Sequence, residues 1–156
     1  MVLKSKPTRN SLYETDYNLW VLETVKQLEN QEFEAVDWDN LLEELSDLSR
    51  REKRKLESLL TRLFEHLLKL NYWQAEVEDN RGHWEAEILN FRKQIQRELT
   101  ASPSLKQHLL KVWEDCYQDG REIAAVRSRL PLETFPKTPI ASLEQILDKN
   151  FLPEKN

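Results

Sequence analysis

His66 stands inside the apolar run "TRLFEHLLKLNYW", Thr61–Trp73. At about 100° per residue it falls at the margin of the stripe made by Leu56, Leu63 and Leu67, and Glu44 falls beside the stripe of Trp38, Leu41, Leu45 and Leu48. If those two segments are antiparallel helices, Glu44 and His66 meet across the seam. A carboxylate beside an imidazole raises its basicity and fixes its tautomer, which suits acid–base catalysis or a metal site. The same pair can equally serve as an interhelical hydrogen bond that pins register, and two groups alone do not make an active site.

Other chemistry-bearing residues are sparser. His83 and Glu87 have the i, i+4 spacing that puts two ligands on one helix face, making His66, His83 and Glu87 weak metal candidates. No Glu-x-x-His occurs, so the paired motif of di-iron bundles is missing. Arg62 and His66 superficially resemble the Arg/His pair of HEPN-class helical ribonucleases, but their gap is shorter and no basic RNA-contacting surface is evident. Cys116 lies on an apolar stripe between Trp113 and Tyr117 and reads as a packed small hydrophobe. With no Gly-rich phosphate loop or nucleophile elbow, no cofactor is expected.

The elements that must position these residues follow from periodicity. Residues 1–11 are polar and contain Pro7, which predicts a flexible lead-in. From Leu12, apolar residues recur at helical spacing to Leu28. Asp37 can cap a second helix carrying Trp38, Leu41, Leu42, Leu45 and Leu48 as its buried stripe. Ser49 and Glu52 have capping-box spacing, predicting a third helix from about Arg50 to Tyr72, although one continuous helix also fits. Asp79, Asn80 and Gly82 predict a turn, after which a fourth helix runs from His83 to about Leu99. Ser102 and Pro103 fit the cap and first turn of a fifth, in which Gly120 is the weak point. "LPLETFPKTP" must be extended, and Ser142 can cap a short last helix. The predicted fold is all-α, a compact bundle of about five main helices with a C-terminal proline-rich strap and a short last helix. One domain spans 12–150, followed by a tail at 151–156.

Composition narrows the partners. In 156 residues there are only 2 Gly, and 33% are charged, which suits charged-surface helices around a leucine core. A net charge of -5 gives no global attraction for phosphate backbones. Arg50–Lys55 is the densest basic stretch, but acids interrupt it and no aromatic interleaves for stacking, so nucleic acid is not the expected partner. No apolar run approaches a membrane span, and a single cysteine suits a reducing compartment, so a cytoplasmic location is expected.

Landmarks in order give a further clue: Asp16, Asp37 followed by "LLEEL", then "HLLKLNYW", "HW", "SPSL", Tyr117 and "FPKTP". Over most of its length the chain resembles the uncharacterised bacterial family known as domain of unknown function 29, found mainly in cyanobacteria and proteobacteria. The resemblance implies a small all-helical cytoplasmic domain and carries no established activity or cofactor. His83 stands where that family would have serine, and Thr138 where it often has cysteine.

Two functional readings follow. The leading one is a nonenzymatic interaction or regulatory domain that binds an unidentified protein partner or a second copy of itself, with Trp73, Phe135 and Pro136 as contact residues. The alternative is a small metal-dependent or acid–base hydrolase using Glu44, His66 and a third group.

Overall fold

The computed structural model describes residues Ser11–Glu154. The predicted lead-in lies, apart from Ser11, outside the described residues, as do the last two residues of the tail. Among the described residues there are six α-helices, four of them long, and no strand, so the fold class is all-α as predicted. Where one domain is expected, the chain divides into two compact units at the Ser49/Arg50 boundary.

In the first unit, the helix predicted from Leu12 is interrupted. α1 (Leu12–Thr15) ends at Asp16, whose carboxylate accepts a hydrogen bond from the Leu19 amide and so caps α2 (Tyr17–Glu29). Gln31 then turns the chain with a positive φ of 58°, and a 3-10 turn, Phe33–Ala35, leads into α3 (Trp38–Tyr72). Asp37 accepts from the Asn40 amide at the start of α3, the cap expected of it.

α3 is one unbroken α-helix, so the boundary predicted at Ser49 does not form. Ser49–Glu52 has the spacing of a capping box but no Gly or Pro to stop the preceding turn, and the flanking Leu and Arg residues are good helix formers. The buried stripe expected at the start of this helix is also corrected. Trp38, Leu42, Leu45 and Leu48 are 45%, 59%, 55% and 52% exposed, while Asn40, Glu44 and Asp47 are half-buried.

The second unit is a helical bundle around the rest of α3, which is buried continuously from Leu63 to Asn71. Its neighbours are α4 (Gln74–Ala101) and α5 (Leu105–Ser128), which contribute Trp84, Ile88, Phe91 and Ile95, and Leu109, Tyr117 and Ala124. Each fully buried leucine or phenylalanine contributes about 1.5–3 kcal/mol relative to exposure. The turn predicted at Asp79–Gly82 does not form. The chain breaks at Trp73 instead, and residues 79–82 stay helical because Asn80 bonds back to the Glu76 carbonyl, while Val77 and Trp84 anchor both sides of the glycine. α4 ends at Ala101 and Ser102–Ser104 form a tight turn, so α5 begins at Leu105 and Ser102 closes α4 instead of capping α5.

Gly120 sits mid-helix for a reason of packing. A Cβ there would lie 2.8 Å from the Thr61 carbonyl oxygen and 2.9 Å from Phe64 Cβ, so glycine is what lets α5 approach α3 this closely. After α5, Arg129 reverses the chain at φ 58° and the proline-rich strap begins. Arg121 donates to the carbonyls of Phe135 and Leu132, and Tyr117 Oη donates to that of Pro136 at 2.6 Å, bolting the strap to α5. The strap leads into α6 (Leu143–Leu147), capped by Ser142 and Gln145 in a capping box.

Candidate functional site

The chemistry-bearing side chains collect in two separate places, one in each unit. In the first, Glu44 accepts hydrogen bonds from Tyr13 and Tyr17, each at 2.6 Å. The bonded Glu44 carboxylate pushes the Tyr13 phenol up to about 12, with burial and the carboxylate's negative charge adding to the effect. Two phenols on one carboxylate tie α1 and α2 to the polar side of α3. The opposite consequence falls on Trp38, Leu42, Leu45 and Leu48, which recur at three- and four-residue intervals and point away into solvent.

Glu44 and His66, expected on two antiparallel helices, both belong instead to α3, Glu44 in the first unit and His66 in the second. His66 lies in the second unit and is buried at 6% exposure, not at the half-exposed margin its helical angle suggested. The reason is that α3 is surrounded on all sides there, so the stripe has no edge. Its Nδ1–H donates to the Arg62 carbonyl at 2.8 Å, which fixes the tautomer within the helix, and its ring meets Phe91 edge-on at 5.1 Å.

The carboxylate beside His66 is Glu65, one residue away, with Oε2 3.4 Å from Nδ1. Glu65 Oε1 lies 2.5 Å from Arg127 Nε of α5, an ion pair whose angle is too poor for a hydrogen bond and leaves that buried oxygen without one. Burial alone would push the Glu65 carboxyl up. The His66 contact and the charges of Lys69 and Arg127 outweigh it, and the group is held below its ordinary value. Burial pushes the Lys69 ammonium down, although Glu65 opposes this, and its Nζ lies 5.2 Å from the centre of the Trp84 ring. The sequence reading missed Glu65 and Lys69, although their i, i+4 spacing was the available signal.

The other candidates are scattered. His83 is exposed and Glu87 half-buried on α4, and no hydrogen bond or ion pair joins them. His108, which the sequence reading passed over, pairs with Glu57 at 3.1 Å beside an open groove of about 410 Å³. Cys116 lines that groove with Glu57, Thr61 and Asp119, but burial pushes its thiol up to about 11, so it stays protonated and packs as expected. Among the described residues no group of three or more His, Cys, Asp or Glu could hold a metal ion. Of the three contact residues expected, Trp73 is half-buried and stacks on Trp84, and Pro136 is half-buried under the Tyr117 bond. Phe135 is buried in the core at 1% exposure, with its ring against Tyr72.

Residues 12–152 match the sequence model of a family described as Domain of unknown function DUF29, covering nearly the whole chain. The chain belongs to the DUF29 family. The match begins with α1 and runs past α6, so both units of the chain are parts of the DUF29 domain. Comparison with curated proteins and with solved structures finds no match. Among the described residues no helix of this DUF29 chain is long and apolar enough to cross a membrane.

Proposed function

We propose that this DUF29 chain is a nonenzymatic protein-interaction domain that works through the exposed apolar face at the start of α3. One observation carries the reading: Trp38, Leu42, Leu45 and Leu48 form a regular helical stripe in solvent. Contiguous apolar side chains in water are costly and mark surfaces that bind. The helix is ordered by its polar side, through Glu44, so the apolar side is left to something else. No comparable observation favours the hydrolase reading, since Glu44 is held by two tyrosines and His66 by its own helix. A reducing cytoplasm suits the single protonated cysteine, and the family resemblance supports a bacterial source.

The test compares wild type with Leu42→Ser/Leu45→Ser as baits in native lysate. A polypeptide retained stoichiometrically by wild type and lost by the double variant is the expected result. Identical capture by both baits, or none by either, overturns the assignment of function to this face.

A further inference from the structure

We infer that the occupant of this face is a cationic amphipathic helix of a partner protein, an inference that rests on the interaction reading above. Two independent features of the first unit select it. The first is apolar: among the described residues, 11–49 hold nine of the fourteen exposed large hydrophobic side chains, although few of these residues are buried. The second is charge. The whole unit, residues 1–49, carries eleven acids against Lys4, Lys6, Arg9 and Lys26, a net of -7 where the entire chain has -5.

Each alternative occupant fails on one of these features. Nucleic acid and anionic lipid surfaces are repelled by a strongly acidic unit, and nucleic acid has no use for an apolar helical stripe. A second copy docking by the same face would bring one unit of net -7 against another, the like-charge juxtaposition that interfaces avoid. A partner helix with apolar anchors at i, i+3 or i+4 and i+7 matches a stripe that advances from Trp38 to Leu48 in roughly 15 Å. Lysines or arginines flanking those anchors would face the excess acid of this unit, including Asp39, which borders the stripe. Charge would then speed encounter and set orientation, while the leucines supply the buried contact.

The full chain is titrated with a labelled eighteen-residue peptide of leucine and lysine, its leucines at helical spacing. Binding is expected with a gain in peptide helicity, and with affinity that falls about tenfold as salt rises through the range that screens exposed charges. A scrambled peptide of identical composition, and a leucine–glutamate analogue, should each bind at least about tenfold more weakly. Equal binding of the scrambled peptide overturns the inference, because attraction would then be charge alone. Leu42→Ser/Leu45→Ser should lose about tenfold in affinity without a change in melting temperature. Sedimentation of the unliganded chain separates the remaining outcomes. A dimer that the double variant abolishes overturns the cationic-helix inference and leaves the interaction reading standing. Absence of both peptide binding and self-association overturns the two together.

Discussion

Glu65 shows how a buried charge is retained. It is nearly inaccessible, and His66, Lys69 and Arg127 converge on it from within α3 and from α5. Glu65→Gln leaves the buried Lys69 without its compensating carboxylate, and we expect a loss of roughly 3 kcal/mol in urea unfolding at neutral pH. The pH dependence has a definite sign. A carboxyl held below its unfolded value contributes stability that is present above about pH 4.3 and is lost as pH falls through the lowered folded value. The gap between wild type and Glu65→Gln should therefore close below about pH 4, and a gap that widened there would contradict the assignment. Glu44 offers a spectroscopic counterpart in the first unit. Its bond holds the Tyr13 phenol at about 12, so at about pH 11 Glu44→Gln should show one more ionised tyrosine than wild type by tyrosinate absorbance.

At the scale of elements, the two glycines separate packing from propensity. Both lie inside helices, where glycine costs about 1 kcal/mol relative to alanine. Nothing lies within 4 Å of a Cβ built at Gly82, so Gly82→Ala should stabilise by up to about 1 kcal/mol. At Gly120 the new methyl meets backbone of α3, and Gly120→Ala should instead destabilise by about 1–3 kcal/mol. Thermal or urea unfolding reads both, and equal signs for the two would refute a tight α3–α5 contact. The strap follows the same logic of close approach, since Arg121 and Tyr117 satisfy its otherwise exposed carbonyls.

Across the whole molecule, the buried core and the proposed interaction face belong to different units. Among the described residues, the second unit holds nearly all of the buried apolar core, whereas the first holds most of the exposed large apolar side chains and the excess acid. Leu42→Ser/Leu45→Ser should accordingly leave unfolding free energy within about 0.5 kcal/mol of wild type. A loss of several kcal/mol would mean that those leucines are buried in the free protein and would remove the basis for partner binding.

The strap expected to be extended winds into a 3-10 turn at Leu132–Thr134, whereas helical class, the Ser142 cap of α6 and the leucine core of the second half of α3 were legible in the sequence by itself. Each depends on short-range spacing or on turn chemistry that a few neighbouring residues determine. Three features were decided only by tertiary structure. The Ser49 and Gly82 signals are real local preferences, but helical continuity on both sides overrode them. His66 looked marginal because periodicity describes one helix in isolation, and its burial depends on helices packed around α3 on every side. Leu42, Leu45 and Leu48 carry the same pattern as Leu56, Leu63 and Leu67, yet one set is exposed and the other buried. An amphipathic stripe specifies that a face must be covered, and only the fold determines whether the chain itself covers it.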